Sequence, residues 1–324
     1  MSRLSRLAVP AVLLLSCAAV GSSGLVYPAI GIYTPARTAV GILRLRGGHE
    51  QSEAARAGGA EVDRVSSLED EDNGVAGWME QPCIGAVQGF DFLEGLYREG
   101  NENEVFRSKI QELKRRYSGI RRVKGDGNCF IRAYAYAILE SLIGKASVEA
   151  SDFRGKLMGY FFVITQEGGG GLGYQKEAIE DFFQDIDRIV VLIEEGVMTV
   201  AMLEESFNNL SLSNSLIFFM RLIASCYFQQ NPDKFAPFLG FSDEDPANPI
   251  AKQMKDYCLR EVEPLQREVE QEQVMALTEA LGWGVTVEYL DRSPGEINHH
   301  SFLPDAKMQA TLLYRPGHYD LLCR

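Results

Sequence analysis

The sequence predicts an α+β protein, helical through most of its length with a small sheet at the C-terminal end. Two observations carry this. Between Phe106 and Leu281 apolar residues recur at the spacing of helices, and from Val285 onward they alternate with polar ones, the period of a half-buried strand. A third observation marks the point of chemical interest. The turn Lys124-Gly125-Asp126-Gly127-Asn128 runs straight into an apolar segment (Phe130, Ala133, Ala137, Ile138, Leu139), with Cys129 at the junction.

Taken in order, residues 1–24 read as a secretory signal: Arg3 and Arg6 form a basic start, Leu7–Leu15 an apolar centre, and Ala19-Val20-Gly21 a small-residue cleavage site. Pro10 and the short apolar length argue against a stable membrane span. Residues 25–48 stay free of acidic residues and resemble a transit peptide behind a signal peptide, which implies secretory routing and onward passage to a plastid-associated compartment; the other reading is a tail on a cytoplasmic protein. Within them Leu43-Arg44-Leu45-Arg46-Gly47-Gly48 is identical to the last six residues of ubiquitin. Targeting composition rich in Arg and Gly is the default explanation, and imitation of a substrate or product is the alternative. Glu50 to Ala76 is polar and reads as a disordered linker.

The ordered part, 77–324, begins with a helix carrying Phe106, Ile110, Leu113 and Tyr117 on one face and Lys and Arg on a face expected to be solvated. The Cys129 helix is expected to run to about Leu142, followed by a polar segment and by Gly168–Gly173. That glycine run lacks the Lys-Ser/Thr ending of a phosphate-binding loop and reads as a surface loop. Ile179, Phe182, Phe183, Ile186, Ile189, Val190 and Ile193 make one helical face that Gly196 ends. Leu216–Phe228 is apolar on nearly all sides and marks a helix at the centre of a helical layer. Pro232, Pro237, Pro246 and Pro249 predict a loop; helices follow at Ile250–Val262 and Glu272–Leu281. Strands are expected at Val285–Tyr289, Ala310–Tyr314 and His318–Cys323, with His299 and His300 in an exposed polar loop.

Charge and cysteine content narrow the function classes. The first 49 residues hold five arginines and no acid, so the remainder carries −18 of the overall −13. An acidic body argues against nucleic acid and for a basic or neutral partner. Six cysteines without a CxxC pair, and four histidines, give no zinc spacing; neither metal nor cofactor is expected, and scattered reduced thiols with one nucleophile suit the pattern.

The nucleophile is Cys129. A helix N-terminus offers free N–H groups and the positive end of the dipole, which favour a thiolate. Gly125 and Gly127 allow successive N–H groups to converge on one point, as an oxyanion hole requires. His318 and Asp320, two apart on a strand, leave the same face, so the carboxylate can fix one imidazole nitrogen while the other takes a proton from a thiol. An unperturbed imidazole would make activity fall in acid near pH ~6–7.

The residues Tyr117-Ser118, Ile120-Arg121, Asp126-Gly127-Asn128-Cys129-Phe130 with Arg132-Ala133, Glu261-Val262-Glu263-Pro264, Val287-Glu288-Tyr289 with Asp291-Arg292, and Leu312 through Asp320 together resemble the otubains, papain-like cysteine deubiquitinases of the ovarian-tumour class. The resemblance runs from about Gly89 to the end. It implies a papain-like fold, a helical layer packed on a small, mostly antiparallel sheet. It also implies hydrolysis of the isopeptide bond after the C-terminal Gly-Gly of ubiquitin. In that scheme Cys129 attacks, His318 is base and then acid, Asp320 orients His318, and Asp126 shapes the oxyanion loop of Gly127 and Asn128. Ubiquitin and polyubiquitin chains are the implied partners, bound by the helices between about Ile179 and Phe228, with ubiquitin-conjugating enzymes as a further class. Two other readings stay open: a non-catalytic binder of ubiquitin or of a conjugating enzyme, and a cysteine protease with an unrelated substrate.

N-terminal sequencing of the purified chain tests the Leu43–Gly48 stretch. A start at His49 that persists in a Cys129→Ala protein excludes self-processing.

Overall fold

The computed structural model describes residues 81–98, 103–145, 147–168 and 171–324. The leader-like segment, the transit-like segment, the linker and the boundary at residue 77 lie outside the described residues. The chain enters through α1 (Asp91–Leu96), α2 (Glu104–Arg116) and β1 (Gly119–Arg121), then α3 (Cys129–Leu142). There follow α4 (Ser147–Thr165), α5 (Lys176–Glu194), α6 (Val200–Asn208), α7 (Leu210–Gln230), α8 (Pro232–Leu239) and α9 (Ile250–Tyr257), which runs on into a π-helical turn at Cys258–Val262. After α10 (Gln271–Leu281) come β2 (Gly284–Tyr289), β3 (Asn298–Phe302), β4 (Gln309–Arg315) and β5 (His318–Cys323).

The strands form one sheet in the order β1-β5-β4-β2-β3. Only β2 and β4 run parallel; the other three pairings are antiparallel. Alternation along the central strands gives the sheet two apolar faces. Leu312 and Leu321 join the large core under the helical layer, while their neighbours Leu313 and Leu322 join a second cluster with Phe90, Leu93, Phe106, Ile110 and Leu113 of α1 and α2. Helices therefore cover both faces, where one layer was expected. α3 and α7 fill the middle. Nearly every residue of α3 is buried, and α7, whose length and hydropathy would suffice to cross a membrane, is the central helix of the layer.

Four local expectations change. The polar segment after α3 is helix α4, whose buried groups (Ala150, Phe153, Leu157, Ile164) share its surface with exposed Met158 and Phe162, so no single apolar face stands out. It gains its partner from α5, through the Arg154–Asp187 fork at 2.6 and 3.0 Å. The proline-rich stretch opens with α8, since Pro232 sits in the first turn where its missing N–H has no helical partner. His299 and His300 belong to edge strand β3, opposite Glu288 and Val287, and their side chains are exposed as expected.

The charged face of α2 is not simply solvated. The Lys109 ammonium is buried against Asp291 Oδ1 (2.6 Å), Asp291 O (3.1 Å) and Ser293 Oγ (2.9 Å). Arg116 and the Tyr117 hydroxyl both donate to Glu288 on β2, each at 2.6 Å, and Glu288 is fully buried. A buried carboxylate is tolerable only with such donors. These contacts tie the entry helices to the sheet that carries the site.

Candidate active site

Cys129 is the first residue of α3 and is 6% exposed, so its N–H lies among the first-turn donors that a helix leaves without an internal partner. The preceding loop is held from two sides. Arg132, one turn into the helix, grips both oxygens of Asp126 at 2.7 and 2.8 Å. The Asn128 N–H donates to Asp126 Oδ1 at 3.1 Å, so within the loop that donor is already engaged. Burial pushes the Asp126 carboxyl up, but the Arg132 fork and the Asn128 N–H outweigh it and hold the group below its ordinary range. Gly127 adopts φ +75°, and a Cβ there would meet the carbonyl oxygen of Gln266 at 2.6 Å. Only glycine fits.

The second side is Arg221, a fully buried guanidinium on α7. It donates to Asn128 Oδ1 (3.0 Å) and Gly127 O (3.3 Å), and also to Val262 O (2.9 Å) and Arg267 O (2.6 Å). The Gln266 N–H completes the Asn128 acceptor at 2.9 Å, with Gln266 itself at φ 65°. Burial lowers the Arg221 guanidinium to about 10, against the opposing pull of Asp126 and Cys129, so it stays charged at neutral pH.

His318 opens β5 directly after the Pro316-Gly317 turn, with Asp320 two residues on. Asp320 is fully buried: Oδ1 accepts from Val123 N–H (2.9 Å) and faces His318 Nε2 (3.0 Å), and Oδ2 accepts from Arg315 Nε (3.3 Å) and Nη2 (3.1 Å). Burial alone would raise this carboxyl; His318, Arg315 and the Val123 N–H hold it down. The other imidazole nitrogen packs over Gly125, where a Cβ would lie 3.4 Å from Nδ1, and the ring lies close enough to Cys129 to interact with it electrostatically. Burial depresses His318, yet Asp320 and Cys129 outweigh it and raise the imidazole to about 9. The ring is therefore an imidazolium at neutral pH, and the acid limb expected near pH ~6–7 from an unperturbed imidazole does not apply.

Cys129 opens onto a cleft walled by Tyr289, Tyr314, Gly317 and Tyr319 from the sheet and by 268–271 on the other side. Tyr314 packs between Tyr289 and Tyr319 with ring centroids 5.4 and 5.1 Å away. Glu268 and Glu270 are exposed on the facing wall.

The fold thus brings the hydrogen-bonded His318–Asp320 pair beside Cys129 and sets Asp126, Gly127 and Asn128 as the loop beneath the thiol. Sequence reasoning gave no role to Arg132, Arg221 and Arg315, and did not name the tyrosine wall. Arg221 had a visible signal: a lone charge inside the apolar run of α7 implies a buried partner.

A thiol at a helix N-terminus, an imidazole on a facing strand and a carboxylate behind it define a cysteine-type hydrolase. The model of the peptidase C65 otubain family matches residues 79–324, and the chain belongs to that family. Human ubiquitin thioesterase OTUB2 is 35% identical over 227 residues, covering 70% of this chain and 90% of that protein. Rat ubiquitin thioesterase OTUB1 is 34% identical, covering 71% of this chain and 80% of its own. The Arabidopsis thaliana ovarian tumor domain-containing deubiquitinating enzyme 1 is 31% identical over 289 residues, 82% of this chain and 88% of that protein. Among solved structures, a complex of ceOTUB1 with ubiquitin aldehyde and UBC13~Ub matches with TM-score 0.64 at 27% identity, over 76% of this chain and 94% of that one. A complex of h/ceOTUB1 with ubiquitin aldehyde and UBCH5B~Ub matches with TM-score 0.63 at 28% identity, over 75% and 91%.

Gly127→Ala combines a left-handed backbone with a clash against Gln266. It is expected to cost at least ~1–2 kcal/mol of stability, read by chemical denaturation.

Proposed function

We propose that this chain is a deubiquitinase that hydrolyses the isopeptide bond after the C-terminal Gly-Gly of ubiquitin through Cys129, His318 and Asp320. The observation that carries the reading is the series thiol, imidazole, buried carboxylate beside a loop of glycines and helix N–H groups. Its proton passed to His318, the Cys129 sulfur attacks the terminal glycine carbonyl, whose oxygen gathers charge beside the N–H groups of Cys129 and the Gly127 turn. The C–N bond breaks as His318 passes its proton to the departing lysine amine. Water, giving its proton to His318, then attacks the thioester carbonyl and releases the ubiquitin carboxylate and the sulfur. Asp320 keeps Nε2 engaged throughout, so the other ring nitrogen faces the chemistry.

The cleft suits such a tail. Side chains at the scissile end would crowd against the loop, which favours two glycines, and Glu268 and Glu270 complement the arginines that precede them. Ubiquitin in the related OTUB1 complexes supports ubiquitin and its chains as partners, and the UBC13~Ub and UBCH5B~Ub in those complexes support conjugating enzymes as a second class. The N-terminal 48 residues are proposed to route the chain into the secretory pathway and onward to a plastid-associated compartment.

Ubiquitin bearing a C-terminal electrophile is expected to label the wild-type protein at Cys129 and to leave Cys129→Ala unmodified. Absence of labelling in folded wild-type protein sinks the hydrolase reading and leaves a ubiquitin-holding one. In a pH series on a fluorogenic ubiquitin substrate, kcat/KM is expected to hold through pH ~6–7 and to fall as pH rises through about 9, where His318 loses its proton.

A further inference from the structure

The nucleophile loop and the cleft wall are separate segments of chain, and one side chain joins them. Arg221 reaches from α7 to Gly127 O and Asn128 Oδ1 on the loop and to Val262 O and Arg267 O on the turn that leads into the wall 268–271. Asn128 is 1% exposed, and its side-chain oxygen takes both Arg221 and the Gln266 N–H. Asn128 immediately precedes the nucleophile, so its side-chain anchor sets the direction of the peptide that carries the Cys129 N–H. Asp126 is bound by a different arginine, Arg132, so a second guanidinium supports the loop, and the Asn128 N–H to Asp126 Oδ1 joins its two halves.

We propose that Arg221 is a positioning residue for catalysis. Acting through Asn128, its planar fork aligns the N–H groups beside Cys129 with the point where the carbonyl oxygen becomes an oxyanion, and holds the 268–271 wall in register with them. The proposal rests on the hydrolase reading above. A guanidinium is suited to this task because its N–H groups lie in one plane and point to several carbonyl oxygens at once. A lysine keeps the charge but supplies one nitrogen at one place. The alignment matters in the transition state and much less in the bound ground state, so its loss appears in kcat and not in substrate affinity. Arg221 has no hydrogen bond to His318 and does not line the cleft, so its effect passes through the loop and the turn that it binds.

The test is a double-mutant cycle on the full chain with a ubiquitin substrate carrying a C-terminal aminomethylcoumarin. Arg221→Lys is expected to lower kcat by about 10–100-fold with KM within about twofold of wild type, as loss of oxyanion alignment does. Ubiquitin affinity, measured by anisotropy in a Cys129→Ala background, is expected to be unchanged. Asn128→Ala is expected to lower kcat comparably, and the double variant to fall no more than about threefold below the worse single one, because both act on one support. Arg221→Lys is also expected to keep the wild-type rate of Cys129 alkylation by iodoacetamide, a displacement that forms no oxyanion.

A folded Arg221→Lys protein with wild-type kcat overturns the assignment. So do multiplicative effects in the cycle, or a loss carried by KM and ubiquitin affinity. Arg221→Gln serves if the lysine variant does not fold, and failure of both to fold makes Arg221 a residue of the scaffold and equally overturns it. Wild-type protein inert toward the substrate would instead remove the hydrolase reading itself.

Discussion

The carboxylate of Asp320 is fully buried and receives N–H groups from three directions: the backbone of Val123, the guanidinium of Arg315 and the imidazole of His318. An ionised carboxylate taken out of water costs several kcal/mol unless such donors meet it. β5 can therefore bury this side chain only when the segment after β1 and the end of β4 are in place beside it. The sheet order puts β5 between those two strands, so folding and orientation of the imidazole are one event. The same contact decides which ring nitrogen faces the carboxylate and which is left free. The same charge lifts His318 to about 9 and keeps it an imidazolium at neutral pH.

Beneath the thiol the interior is organised by two buried arginines, not by apolar packing. Arg132 takes the first half of the loop through Asp126, and Arg221 takes the second half through Asn128 and the carbonyls around it. Both lean on α7, which supplies Arg221 itself and the Ser213 hydroxyl that accepts from Arg132 Nε at 3.1 Å. Each guanidinium meets several acceptors, which is what makes its burial tolerable. A loop built this way is stiff without being regular. Such stiffness suits the proposed chemistry, in which donors aimed at a developing charge should not have to reorganise.

Much of this was legible in the sequence. The helix of Cys129, the central apolar helix and the alternation of the last strands are local patterns, and the turn glycines and the His318-x-Asp320 pair are local chemistry. What escaped did so for physical reasons. α4 spreads its apolar residues around the helix and becomes a core element only against α5. β3 is a polar edge strand that exists because β2 offers it a ladder. Lys109 and Arg116 look like a solvated face until Asp291 and Glu288, far along the chain, arrive to bury them.

Periodicity and turn stereochemistry act over a few residues, so the sequence by itself determined most of the helices and strands, which glycines turn the chain, and which thiol, imidazole and carboxylate are the candidates for the chemistry. The tertiary structure alone decided that these groups meet, that both faces of the sheet are covered, that His318 is held as a cation and that Arg221 ties the nucleophile loop to the cleft wall. Those outcomes depend on hydrogen bonds and charges between distant segments, whose strength comes from burial, and burial exists only once the chain has closed on itself.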